Sequence, residues 1–192
     1  MLRAAVLAGG RSSRMGQDKA QLVLEGQTLL ERAVALLQTT GAQQVLVSGR
    51  PEHMLGIPDL LPHCGPPGAV LSLLTWMHDH NQLDGAPLLL IPVDMPLLTL
   101  PTLQQLINAV RPERGARFRN QIFPCVLPAS RSLLLHLQKL FRDERHLGGL
   151  RSLRALLEFT QAVQIDDSTI SLQEFRNFNT PSEWRGLDSP VP

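Results

Sequence analysis

The chain has 192 residues, 43% of them apolar and 18% charged, with a formal net charge of +1. That size and balance suit one soluble globular domain with a sizeable core, and exclude a disordered or fibrous chain. They also exclude the strong basic excess of a generic nucleic-acid binder. Cys64 and Cys125 are the two cysteines, far apart and in no CxxC spacing, so a structural zinc site is not expected and reduced thiols are. The apolar stretch of the N-terminus is too short for a signal peptide. The longest apolar run, 87–93, is roughly a third of what crosses a bilayer. A cytoplasmic protein without a membrane or nucleic-acid partner is the expectation.

In chain order, apolar strand-like runs alternate with amphipathic helices, the pattern of a mostly parallel sheet covered by helices. The first run, 4–7, ends in Ala8-Gly9-Gly10. A helix is predicted over 28–40, because Thr28 and Glu31 form a capping box, apolar residues fall at 29, 30, 33, 34, 36 and 37, and Gly41 stops it. Residues 45–47 read as a second strand. Pro66 to Gly68 leads into a largely apolar, buried helix through Trp76. The continuous apolar run 88–93 predicts a central strand buried on both faces, and a helix follows over 99–110. Residues 122–127 make a weaker strand, interrupted by Pro124. Helices are expected at 130–141 and 150–158, a last strand at 162–165, and a last helix from Thr180-Pro181-Ser182-Glu183. The domain is expected to span 1–188, with 189–192 a frayed tail.

A strand that ends in a glycine-rich turn is a recurrent phosphate holder, since glycines allow close approach and successive N–H groups point at the anion. Gly9, Gly10 and Gly16 give that freedom, and Arg11, Arg14 and Lys19 place three cations within nine residues. The string is neither a Walker A loop nor GxGxxG. Further along, Pro92-Val93-Asp94-Met95-Pro96 puts a carboxylate at the carboxyl edge of the sheet, where open α/β sheets bind ligands. His78-Asp79-His80 reads as a helix end and not a metal site, because residues two apart diverge on a helix. Arg111, Arg114, Arg117 and Arg119 read as a solvated basic surface, with a phosphate-bearing acceptor as the alternative.

LAGGRSSRMGQDK resembles the signature of the molybdenum cofactor guanylyltransferase family and its nucleotidyltransferase relatives, roughly L-x-G-G-x-S-x-R-M-G-x-D-K. It matches at Leu7, Gly9, Gly10, Ser12, Arg14, Met15, Gly16, Asp18 and Lys19. Later segments resemble the family's in order. Gly65-Pro66-Pro67-Gly68-Ala69 is similar to its G-P-L-A-G turn against the base, with Asp59 six residues before it, and Asn177-Phe178-Asn179-Thr180-Pro181 is similar to its N-x-N-T-P box. The family's Q-P-L segment is less clear, because Gln121 has no proline directly after it.

The resemblance implies a single three-layer α/β/α, Rossmann-like domain whose N-terminal half binds nucleotide and whose C-terminal half binds the acceptor. It implies transfer of GMP from GTP to the phosphate of molybdopterin, with pyrophosphate released. Arg14, Lys19 and Asp94 would be catalytic. Leu7, Ala8, Gly9, Gly10, Arg11, Ser12, Gly16, Lys19, Asp59, Pro66 and Gly68 would bind nucleotide, and Gln121, Asn177 and Asn179 the acceptor. Asp94 would hold Mg²⁺, with Mn²⁺ as the alternative, and molybdoenzyme maturation proteins would be transient partners. Relatives with the same loop use CTP or other phosphorylated acceptors, so a cytidylyl reading stays open at this point. So does a non-catalytic binding module.

Overall fold

The computed structural model describes residues 1–9, 18–142 and 152–178. Gly10, Arg11, Ser12, Arg14 and Gly16 therefore lie outside the described residues, as do Asn179, the last predicted helix and the tail. Nine strands and five α-helices are described. Strands β1 (Arg3–Leu7), β4 (Gln44–Ser48), β5 (Gly56–Ile57), β6 (Pro87–Pro92), β7 (Ala116–Phe118), β8 (Cys125–Pro128) and β9 (Val163–Ile165) form one sheet, in the order β5-β4-β1-β6-β8-β7-β9. Strands β5, β4, β1 and β6 run parallel, and β7 is parallel to β9. Only β8 is antiparallel to its neighbours, β6 and β7. Strands β2 (Val23–Leu24) and β3 (Gln27–Thr28) make a small separate hairpin.

The predicted alternation holds, and its physical basis is visible in the core. Side chains alternate across a strand, so Ala4, Val6, Val45, Val47, Leu89 and Ile91 face one side and Ala5, Leu46, Leu88 and Leu90 the other. The first set is covered by helices α1 (Leu29–Thr39) and α3 (Leu100–Ala109), through Leu29, Leu30, Leu37, Leu103 and Leu106. The second is covered by α2 (Gly65–Asp79), α4 (Arg131–Arg142) and α5 (Leu153–Phe159). Two helical layers on one sheet complete the expected α/β/α sandwich. The capping box on α1 forms as read: the Glu31 N–H donates to Thr28 Oγ1 at 3.1 Å and the Thr28 N–H to Glu31 Oε2 at 2.8 Å.

Two boundaries differ from expectation for reasons of backbone chemistry. The strand expected over 122–127 begins only at Cys125, because Pro124 has no N–H for a ladder and stands ahead of the strand instead of inside it. Strands β2, β3, β5 and β7 were not anticipated; each is only two or three residues long, too short for an alternation to show. Cys125 is wholly buried, and burial pushes its thiol pKa upward, as expected of a small inert hydrophobe. At the sheet's amino edge, Arg3 donates to Asp84 Oδ1 at 2.7 Å and to Oδ2 at 3.0 Å. No helix among the described residues is long and apolar enough to cross a membrane.

Candidate active site

Register fixes where the site lies. Leu7 pairs with Ser48 on one side and with Pro92 on the other, so β1, β4 and β6 end level with one another. The residues that leave these strands (Ala8-Gly9, Gly49-Arg50 and Val93-Asp94) therefore emerge side by side at the carboxyl edge. Strand β8 runs the other way, with Cys125 opposite Leu90. Its amino-terminal approach, Phe123-Pro124, reaches the same edge. Between these lies a cleft of about 530 Å³, a size suited to a nucleotide-scale ligand. Leu7, Ala8, Gly9, Lys19, Asp59, Pro66, Asp94 and Asn177, all predicted site residues, line it.

At its centre Lys19 Nζ stands 3.1 Å from Asp94 Oδ2, joining residues 75 apart in sequence. Both side chains are about four-fifths buried, at 19% and 20% exposure, so the pair is held in place yet open to a ligand. Lys19 opens a 3-10 turn, Lys19–Gln21, whose N-cap is Asp18: its Oδ1 accepts the Ala20 N–H at 3.1 Å. Asp94 follows β6, and its carbonyl accepts the Phe178 N–H at 3.0 Å. That bond draws Asn177 to the cleft beside Asp94, an approach between residues far apart in sequence.

The turn after β4 braces the one after β1. The Ala8 N–H donates to the Ser48 carbonyl at 3.1 Å, and Gly9 crosses Gly49 so closely that a Cβ on Gly49 would sit 2.4 Å from Gly9 Cα. Gly49 has φ +80°, so glycine is required there both by conformation and by space. Arg50 reaches back as well: its Nε donates to the Ala8 carbonyl at 3.1 Å, and both terminal nitrogens donate to the two Asp18 carboxylate oxygens. Partial burial disfavours the Asp18 charge. Arg50's hydrogen bonds, the Ala20 amide and Arg50's charge together outweigh it and pull the Asp18 pKa below its ordinary value.

Asp59 leaves β5 and turns toward Gly9; a Cβ on Gly9 would lie 2.9 Å from Asp59 Oδ2. The following loop is pinned to α2 by Ser72, whose hydroxyl accepts the Leu60 N–H and donates to the Gly68 carbonyl, each at 2.9 Å. Helix α2 presents Gly65, Pro66 and Ala69 to the cleft. Gly68, also read as a nucleotide contact, is buried in the first turn and is not among the residues that line the cleft. A Cβ there would meet Cys64 Cβ at 2.5 Å, so packing against Cys64 is what needs glycine.

Gln121 is likewise absent from the lining. Its N–H donates to the Phe118 carbonyl, and its own carbonyl accepts from Arg117. Phe123 occupies the cleft at this end, and Phe123-Pro124 directly ahead of β8 holds the place expected of the family's Q-P before a strand. The loop is anchored by Asn120, which donates from Nδ2 to the buried Asp167 at 2.9 Å. Arg111, Arg114 and Arg117 direct guanidinium N–H groups to backbone carbonyls, Arg117 to three of them. His80 stacks on Trp76, as suits a helix end. Arg50, Ser48, Ser72 and Phe123 were missed from sequence. The one available signal was Ser48-Gly49-Arg50 directly after a predicted strand.

The fold, with ligand-facing turns at the carboxyl edge and a lysine–aspartate pair between them, defines an α/β enzyme of the nucleotidyltransferase class. Residues 4–164 match the model of the MobA-like NTP transferase domain, and the chain belongs to that family. It is 41% identical over 182 residues to a molybdenum cofactor guanylyltransferase of Xanthomonas euvesicatoria, covering 95% of this chain and 92% of that one. Its fold matches the molybdopterin-guanine dinucleotide biosynthesis protein A of Archaeoglobus fulgidus, with TM-score 0.68, 20% identity and 96% of each chain covered. It also matches a nucleotidyl transferase of Methanothermobacter, with TM-score 0.69, 16% identity, and 97% and 95% covered.

Proposed function

We propose that the chain transfers GMP from GTP to the terminal phosphate of molybdopterin and releases pyrophosphate. The observation that carries this reading is the Lys19–Asp94 pair, set between the glycine turn and Asn177 in one cleft. Family membership and the named relative at 41% identity supply the substrates. Two free cysteines and the nucleotide donor fit a cytoplasmic enzyme.

The acceptor's phosphate oxygen attacks the α-phosphorus in line. One P–O bond forms, the bond to the bridging α–β oxygen breaks, and pyrophosphate leaves with that electron pair. Such a reaction asks a protein mainly to position groups and neutralise charge. Lys19 does so at the α-phosphate. The amides around Gly9 and Gly10, with Arg14, hold the β/γ end, and Asp59 and Pro66 border the base. Asn177 and Asn179 orient the acceptor's phosphate, and Phe123 stands where Gln121 was expected.

Among the described residues no three His, Cys, Asp or Glu side chains cluster as a complete metal cage. A single carboxylate, Asp94, fits Mg²⁺, which takes most of its ligands from substrate phosphates and water. When bound, the ion neutralises triphosphate charge. A thermal-shift panel of GTP, CTP, ATP and UTP with Mg²⁺ tests the reading. A shift with GTP, followed by pyrophosphate release on adding molybdopterin, is expected; a shift with CTP alone would replace it with cytidylyl transfer.

A further inference from the structure

Arg50 meets both ends of the segment that carries the glycine-rich motif, and none of its atoms lines the cleft. Its Nε holds the Ala8 carbonyl just before that segment, and its terminal nitrogens hold the Asp18 carboxylate just after it. A guanidinium is suited to this, because three N–H vectors in one plane fix two partners at once, whereas an ammonium is a single rotatable point. Its side chain is 18% exposed, and Glu52 lies 3.7 Å from Nη1 on the solvent side. Asp18 in turn caps the turn that begins with Lys19, so a shift of Asp18 is a shift of the lysine that meets Asp94.

We propose that Arg50 is a positioning residue for nucleotide binding: it ties the strand that enters the 10–17 segment to the turn that leaves it, and so sets where Lys19 stands. This rests on the cleft being the nucleotide site, as read above, but not on which base is bound. The bonds imply a division of labour. Arg50's fork is taken up by Asp18 and Ala8, so its contribution reaches the triphosphate only through them.

The test compares the wild-type chain with Arg50→Lys, Asp18→Asn and the double variant. Affinity is read with a fluorescent N-methylanthraniloyl derivative of whichever nucleoside triphosphate the wild-type chain binds, and Tm is recorded alongside. Arg50→Lys keeps the charge but loses the fork. It should weaken nucleotide binding on the order of tenfold, and the double variant should bind no worse than Asp18→Asn alone. Wild-type affinity in Arg50→Lys, or a fall in Tm with affinity unchanged, would overturn the proposal. So would an equal further loss in the Asp18→Asn background, which would mean that Arg50 meets the phosphates itself. Asp18→Asn keeps the test open should Arg50→Lys not fold. Wild-type binding of CTP in place of GTP counts against the proposed reaction and leaves the clamp standing.

Discussion

The two ends of the cleft are built differently. At the end near Gly9, two strand termini and the turn at Asp18 lock onto one another: Ala8 to Ser48, Gly9 against Gly49, and Arg50 across to Asp18. At the end near Phe123, a loop stands ahead of β8, held by Asn120 on Asp167 and by Arg117 on neighbouring carbonyls. The first end presents fixed backbone and charge, which any triphosphate requires. The second presents a side chain on a tethered loop. On the proposed reading, the nucleotide would meet the first end and the acceptor the second.

The largest effect should come from the pair at the centre. Lys19→Ala and Asp94→Ala are each expected to lower turnover about a hundredfold or more while the fold persists. Pyrophosphate release by purified protein measures this, and near-full turnover in both variants would remove the proposed roles. Asn120→Ala separates the two ends. It should raise the acceptor's KM by about tenfold and leave the KM for GTP within about twofold. Equal rises in both constants would show that the ends are coupled.

The smallest effect lies at the opposite edge of the sheet. Arg3's hydrogen bonds to Asp84, opposed by partial burial and aided by the Ala86 amide, lower the Asp84 pKa from 3.8 to about 2. A carboxylate so depressed contributes stability that is complete above its ordinary pKa and lost as pH falls through about 2. Because Asp84 is 46% exposed, solvent screening limits this to about 1 kcal/mol or less. Asp84→Asn should therefore flatten the acid limb of Tm against pH, with no change in activity at neutral pH.

Much of this was legible in the sequence. Continuous apolar runs gave β1 and β6, since a strand covered on both faces has no polar side to show, and the Thr28/Glu31 box gave the start of α1. Leu7, Lys19, Asp59, Asp94 and Asn177, read from motif spacing, all line the cleft. Arg50 was missed, because its partners lie 42 and 32 residues away and no local pattern reports such a meeting. Phe123 was missed because Pro124 read as a strand interruption, when it marks the residue before the strand begins. Gly68 was read as a nucleotide contact; a Cβ there would meet Cys64, a packing constraint that no sequence pattern shows.

That neighbour has a practical consequence. Of the chain's two thiols, Cys125 is sealed in the core, while Cys64 is partly exposed on the lip of the cleft. A maleimide dye added to the native protein should thus attach at one place, unaided by mutagenesis. It would report from the rim each time a ligand fills the space beside it.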